Sequence, residues 1–569
     1  MAYLFCSACE VQLAQLSTTE RISPVPELLG TNQVPTSTEA DDIKRCLSDV
    51  DSELQYLESI FSKLAARRDH LKSFADGHRA LLSPARRIYP DLLSEIFARC
   101  SKGAPRKYPR KITTKIPDTF DPKQGPLLLT QICRSWRQTV IATPNIWSTI
   151  RFVLGPRSKV DLINLWLERS ANCDLTIAVL EHPDSSTRAD LGGLPCNEQA
   201  LCILASQAHR WKSAFFFLCI GAPHWNALHG AKGKMVRLRH LTIRDPQDRG
   251  QKPIPTLFHG LTGLTSLTLS RHVFGEGLPK DGSTITHFRY EEQEGTRADC
   301  FVPIEQCLNI MRRLPNLESC LLECSMLALS EITNVTMVRL KDLKIEMAGI
   351  QARPPTPHPG VLWQALQLPN LTTLTIISSG HQVNPLPLDH EALSGLISRC
   401  PKLTSLCLSW YATEPQPLIE CLRQASGVKY LKLGLYNATT FSQVLSCISQ
   451  YTPSSRPLLP SLKEVHVSLL WYSYRWFPAD DDFAAFAEMA RRGLTNAHTH
   501  SDIASPEATL NCEPIDYAEL EFQGHGVAET TLQHVLDKTR GLKSKDMDCR
   551  VVHHRNGNST TFTVQVSRQ

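Results

Sequence analysis

One spacing recurs along most of this chain and leaves few folds open to it. An apolar triplet at positions i, i+3 and i+5 appears as Leu238/Leu241/Ile243, Leu264/Leu267/Leu269, Ile285/Phe288/Tyr290, Leu317/Cys320/Leu322 and Leu340/Leu343/Ile345. It continues as Leu371/Leu374/Ile376, Leu403/Leu406/Leu408, Val428/Leu431/Leu433 and Leu462/Val465/Val467. Successive triplets start 21 to 34 residues apart. The last two members alternate, which predicts a short strand with one buried face, and the first covers the turn leading into it. Amphipathic helices precede several triplets, with faces such as Ile304, Cys307, Leu308, Met311 and Leu314, or Leu393, Leu396, Ile397 and Cys400. Leu314-Pro315, Leu368-Pro369 and Cys400-Pro401 end such segments, because proline cannot continue a helix. A helix–turn–strand unit cannot bury both faces alone. Neighbouring units must stack into a curved parallel sheet lined by helices. The predicted class is α/β, with a repeat solenoid over 160–475.

The flanks read differently. Residues 1–40 are rich in Ser, Thr and Pro without sustained periodicity and are expected to form a flexible leader. Over 41–79, apolar residues at Ile43, Leu47, Val50, Leu54, Leu57, Phe61, Leu64 and Leu71 form a narrow seam of about four heptads, interrupted at Arg68. Such a seam suits a coiled coil, with self-association through 43–71, or a long helix packed on a neighbour. Gly77 and Pro84 are expected to end it. Short helices follow over 82–152, with a basic, proline-broken insertion over about 101–125 that contains Lys102, Arg106, Lys107, Arg110, Lys111 and Lys115. A solvated loop is the favoured reading of it, a nuclear-localisation patch the other. After about Trp476 the triplet fades. One more helix is expected at Phe483, Phe486 and Met489, and a hairpin over 548–566 around Asn556-Gly557 closes a C-terminal cap, 476–569.

Composition narrows the function classes. An apolar share of 42% and a charged share of 21% are those of a globular chain. A net charge of +5 over 569 residues gives no case for nucleic-acid binding. No apolar run approaches the ~20 residues that span a bilayer, and the first residues lack a basic, apolar signal segment. Most of the 19 cysteines sit singly in apolar patterns, as Cys307, Cys400, Cys407, Cys421 and Cys447 do, which predicts reduced thiols in a cytoplasmic or nuclear protein. Cys6-x-x-Cys9 lacks a second ligand pair, and His498-x-His500 near Asp502 and His553-His554 read as polar turn or strand residues. Nucleophile-elbow, phosphate-loop, dinucleotide and HExxH motifs are all missing. The expectation is a protein without catalytic residues, cofactor or metal.

Two resemblances extend this reading. The triplets over about 211–470 resemble the leucine-rich repeat family in its longer, helix-containing units. Three residues after each triplet, where that family commonly carries Asn or Cys, this chain holds Pro246, His272, Gln293, Ser325, Ala348, Ser379, Tyr411, Tyr436 and Leu470. The resemblance therefore implies an uneven horseshoe. Residues 84–150 carry Ile88-Tyr89-Pro90-Asp91-Leu92-Leu93-Ser94-Glu95-Ile96-Phe97, then Pro126-Leu127-Leu128-Leu129-Thr130-Gln131-Ile132-Cys133-Arg134-Ser135-Trp136-Arg137, then Thr143-Pro144-Asn145-Ile146-Trp147. They resemble the F-box, a three-helix module, and with the upstream heptads look like the F-box-like proteins of mushroom-forming fungi. Ile88-Tyr89 stands where that family usually has Leu-Pro. The resemblance implies docking of a Skp-type adaptor, and through it a cullin ligase, by Ile88, Pro90, Leu92, Leu93, Ile96 and Phe97. It makes the chain the substrate-recognition subunit of an SCF-type ubiquitin ligase, its repeats holding a client protein. The alternatives are a scaffold without a ligase link, whose heptad seam must be exposed, and an enzyme, which needs a convergent polar pocket. On its own the sequence also allows Leu92, Leu93, Ile96 and Phe97 to pack against Trp136, Trp147 and the first repeats.

Overall fold

In a computed structural model of the chain, the structure describes residues 2–5, 12–16, 21–82, 84–101, 118–155, 159–181, 195–220, 223–245, 252–270, 273–274, 284–291, 302–325, 334–348, 360–379, 389–409, 414–435, 438–449, 458–470, 486, 489, 515–525, 547–556 and 559–568. The chain divides into two compact units, Met1–Leu93 and Ser94–Gln569.

In the first unit, residues expected to form a structureless leader pair as an antiparallel hairpin, Ala2–Phe5 with Gln12–Leu16. Pairing meets backbone hydrogen-bonding demand that an isolated strand leaves open. Helix α1, Ser37–Leu81, starts earlier than the predicted residue 41 and runs through Gly77. Its start is set by Thr36, whose backbone N–H donates to Glu39 Oε2 at 2.7 Å. Arg21 ties the preceding segment to the helix through Glu53 at 2.6 Å.

The second unit begins inside helix α2, Pro90–Ser101. The core of the basic insertion, 102–117, lies outside the described residues, and helices α3, Gly125–Ile132, and α4, Arg134–Ile141, come next. The Cys133 thiol accepts from the Trp136 N–H and caps α4. A 3-10 turn, Pro144–Trp147, then feeds the first strand of a large sheet. Its Trp147 is fully buried. The Trp147 indole donates to the Val140 carbonyl at 2.8 Å and packs edge-on to Trp166 at 4.8 Å between centroids.

Thirteen strands of that sheet are parallel and lie in chain order: β1 Thr149–Val153, β2 Leu175–Leu180, β3 Trp211–Phe217, β4 His240–Arg244, β5 Ser266–Ser270, β6 His287–Glu291, β7 Ser319–Ser325, β8 Asp342–Ala348, β9 Thr373–Ser379, β10 Ser405–Ser409, β11 Tyr430–Leu435, β12 Glu464–Leu470 and β13 Tyr517–His525. A hairpin, β14 Met547–Asn556 and β15 Ser559–Arg568, closes one edge, with β15 antiparallel to β13. Each parallel strand pairs with its successor, as a stack of repeats requires. All three members of each of the nine predicted triplets are buried.

The sheet extends past both predicted boundaries. It starts at Thr149, before residue 160, and β13 continues the parallel order beyond residue 475. The expected C-terminal hairpin turns at Asn556 as anticipated. Helices line one face: α5 Val160–Arg169, α6 Pro195–Ser206, α7 His224–Ala227, α8 Ile304–Arg313, α9 Gly360–Ala365, α10 His390–Ser398, α11 Pro415–Arg423 and α12 Ala438–Ser449. On α8, Ile304, Cys307, Leu308 and Met311 are buried; on α10, Leu393, Leu396 and Ile397. Each such leucine contributes about 1.5–3 kcal/mol. Among the described residues, the link from β4 to β5 carries a 3-10 turn, Thr256–Phe258, and no α-helix, so the repeats are uneven.

A backbone ladder fixes the register. The Arg239 carbonyl accepts from both Thr265 N–H and Ser266 N–H, each at 2.9 Å, and the Thr265 carbonyl accepts from Thr286 and His287. The same double acceptance passes through Thr286, Glu318, Lys341, Thr372, Thr404 and Lys429 to Lys463, which takes Asp516 and Tyr517. Hydroxyls reinforce it. Thr265 Oγ1 donates to the Arg239 carbonyl at 3.0 Å and Thr372 Oγ1 to that of Lys341 at 2.8 Å.

Candidate protein-interaction surfaces

Helix α2 sorts its apolar residues by face. Leu93 and Phe97 are buried, and the Phe97 ring lies 4.8 Å from Trp136. Leu92 and Ile96, one turn apart, are 59% and 45% exposed. Pro90 opens the helix in an exposed position, Tyr89 is exposed and Ile88 is half-buried. Of the six residues assigned to docking, Leu93 and Phe97 thus serve the interior, while Pro90, Leu92 and Ile96 face solvent. The i, i+4 spacing that brings Leu92 beside Ile96 also puts Leu93 beside Phe97. Spacing alone gives no sign of which pair turns inward.

Helix α1 presents a second apolar surface. Leu47, Leu54 and Leu71 are about half exposed and Phe61 is 70% exposed, while Ile60, outside the seam, is its one buried residue among those described. Half of the heptad seam, Leu47, Leu54, Phe61 and Leu71, is therefore exposed, while Ile43, Val50, Leu57 and Leu64 are half-buried.

The third surface is the sheet face turned away from the helices. On β2 and β3 it is apolar and buried, with Ala178, Leu180, Phe215 and Phe217 packed together and Val153 against them. From β7 onward it is polar and rich in carboxylates. Glu323 and Glu346 stand in register, with Lys344 Nζ 2.5 Å from Glu346.

At β11 to β13 this face assembles a cluster that the triplet pattern does not reveal. Register places Tyr430, Glu464 and Tyr517 side by side on three successive strands. His466, two residues along from Glu464, packs its ring against both tyrosines, 5.1 Å from Tyr430 and 5.2 Å from Tyr517. Glu519 holds the arrangement together. Its carboxylate accepts from the Tyr517 hydroxyl at 2.6 Å and from Gln565 Nε2 of β15 at 3.1 Å, and lies 3.3 Å from His466 Nδ1. Burial alone would raise the Glu519 carboxyl, but the hydrogen bonds from Tyr517, His466 and Gln565 outweigh it and hold it below its ordinary value. Burial first, then the bond to Glu519 and the charges of Glu519 and Glu464, push the Tyr517 phenol up. The period-2 alternation of β11, β12 and β13 was the signal for this cluster, since it puts these residues on one face.

A carboxyl with a lowered folded-state value adds stability above its unfolded value, near 4.5, and loses it as pH falls through the folded value. The melting temperature of the chain should therefore fall as pH drops below about 4.5, and by less in a Glu519→Gln variant. Differential scanning calorimetry across that range checks this; equal slopes for the two proteins would remove Glu519 from the acid response.

Other candidate chemistry stays dispersed. Cys6, Cys9, His498, His500 and Asp502 lie outside the described residues. Among the described residues no group of three or more His, Cys, Asp or Glu is placed to hold a metal, and no helix is long and apolar enough to cross a membrane. Burial raises the thiols of Cys400 to about 11 and Cys421 to about 12, as expected for cysteines acting as small core hydrophobes. Glu181 belongs to a buried bracket between loops. Its carboxylate accepts from the Cys219 N–H at 2.8 Å and lies 3.4 Å from His224 Nε2.

No family model and no curated protein matches the sequence. Similar solved structures include a crystal structure of a Bacteroides fragilis protein, 14% identical with a TM-score of 0.26, over 36% of this chain and 59% of that one. A second is TLR13 in complex with the RNA ssRNA13, 16% identical with a TM-score of 0.20, over 48% of this chain and 50% of that one. The chain thus spans between half and three-fifths of the length of each.

Proposed function

We propose that this chain is a client receptor of an SCF-type ubiquitin ligase. In this reading residues 82–152 form an F-box-like module, α2 docks a Skp-type adaptor joined to a cullin, and the leucine-rich-repeat solenoid holds a client protein. The supporting observation is the pair Leu92 and Ile96, two large apolar side chains one turn apart and turned to solvent. Exposed apolar pairs on a rigid helix are what helix-docking partners use as anchors. The chain's contribution to ubiquitin transfer is proximity, which raises the effective concentration of client beside the ligase and asks no bond-making residue of the receptor. Such a receptor would work in the cytoplasm or nucleus. The test is co-purification of the full chain with its Skp-type adaptor, beside a Leu92→Asp/Ile96→Asp variant.

A second reading has its own support. The exposed half of the α1 seam fits a scaffold that pairs two copies through 43–71. Light scattering on the eluting full chain should then give twice the 63.7 kDa chain mass, and a Leu54→Asp/Phe61→Asp variant should elute as a monomer. A monomeric wild type at tens of micromolar would remove this reading.

A further inference from the structure

We propose that Glu464, framed by Tyr430, Tyr517 and His466, is a binding site for a cationic side chain, arginine or lysine, on an extended basic segment of a client protein. This deepens the client-holding part of the receptor reading and rests on it, but not on adaptor docking.

The geometry carries the assignment. Tyr430 and Tyr517 flank Glu464 in register on the neighbouring strands, and both rings lie against His466 two residues further along. His466 closes a third side, in ring contact with both. Glu464 is exposed, and among the described residues it has neither a hydrogen bond nor an ion pair from its side chain. Its neighbour Glu519, by contrast, is engaged by three partners and holds Tyr517 in place. Among the described residues no cation lies over the Tyr430 or Tyr517 ring.

Aromatic faces beside a carboxylate with no partner suit a guanidinium or ammonium group, which gains from the ring quadrupoles and from the charge together. The surroundings have the matching sign. On the open face of β11 to β13, as far as Glu521, Glu464, Glu519 and Glu521 stand against Lys432. The face is a row of strand positions in register, so an extended segment can lay one basic side chain into the frame and its neighbours along the sheet.

The test uses the full chain and a fluorescein-labelled peptide of six Gly-Arg repeats, followed by fluorescence anisotropy near physiological salt. Wild type should bind, and Glu464→Gln and Tyr430→Ala should each weaken binding about fivefold or more. Glu420→Gln, which alters an exposed carboxylate on α11, should leave binding unchanged. Tyr430 is not among the hydrogen-bond partners of Glu519, so Tyr430→Ala tests the frame without removing any of them. The proposal is overturned if wild type fails to bind the peptide, if Glu464→Gln and Tyr430→Ala bind as wild type does, or if Glu420→Gln weakens binding equally. No adaptor is present. Peptide binding by a chain that does not retain adaptor keeps this site and removes only the ligase link.

Discussion

Replacing Leu92 and Ile96 together by aspartate should abolish adaptor retention, weakening it about 100-fold or more, and leave the far-ultraviolet circular dichroism of the chain unchanged. Burying a leucine or isoleucine side chain contributes about 1.5–3 kcal/mol, and two of them account for that factor. Because both side chains face solvent in the free chain, charge there costs the fold little. The matched pair Leu93→Asp/Phe97→Asp should behave in the opposite way. Those side chains are buried, Phe97 against Trp136, so aspartate there strips the helix from its support. Retention by the first variant, or no retention by wild type, would transfer the lead to the scaffold reading.

Trp147→Ala should cost about 3–5 kcal/mol, the largest loss expected from a single substitution in the described interior. The ring is fully buried, its N–H is spent on the Val140 carbonyl, Trp166 packs against it edge-on and the Arg169 guanidinium lies over it at 4.4 Å. It joins the small helices α3 and α4 to the first repeat, so its removal should lower the urea midpoint of the first transition. Val236→Ala, at an exposed site, should move it by less than about 0.5 kcal/mol. A Trp147→Ala loss below about 1 kcal/mol would mean that the helices are held by other contacts.

Much of the architecture was legible because one spacing encodes both a buried strand and the turn before it. The nine triplets from Leu238 to Val467 locate nine of the thirteen parallel strands. Three of the others carry the same spacing in other residues, Trp147/Ile150/Phe152, Trp211/Ala214/Phe216 and Ile515/Ala518/Leu520. A search for leucine passes over them. β2 and β3 also hide their alternation, since Ala178, Leu180, Phe215 and Phe217 are apolar on the second face too and the run reads as continuous. The candidate surfaces were less legible. Heptad and helix spacing named the residues of α1 and α2, but exposure depends on partners distant in sequence. The Tyr430, Glu464 and Tyr517 frame draws on residues up to 87 positions apart, and only strand register brings them together.

The carbonyl ladder has a consequence for what this architecture tolerates in length. Each rung is set at the entrance to a strand, and in most helix-bearing units the spacing there is short: Arg313 precedes Ser319 by 6 residues, Ser398 precedes Ser405 by 7 and Arg423 precedes Tyr430 by 7, whereas Ala227 precedes His240 by 13 and Ser449 precedes Glu464 by 15. At the strand exits it varies, from 3 residues between Leu435 and Ala438 to 15 between Leu180 and Pro195. A segment inserted at an exit lengthens a loop without shifting any rung, and so without turning a single leucine outward. The rungs, one carbonyl before each strand from β5 to β13, thereby act as a spine, and the exits are ground on which new binding loops can be added one repeat at a time.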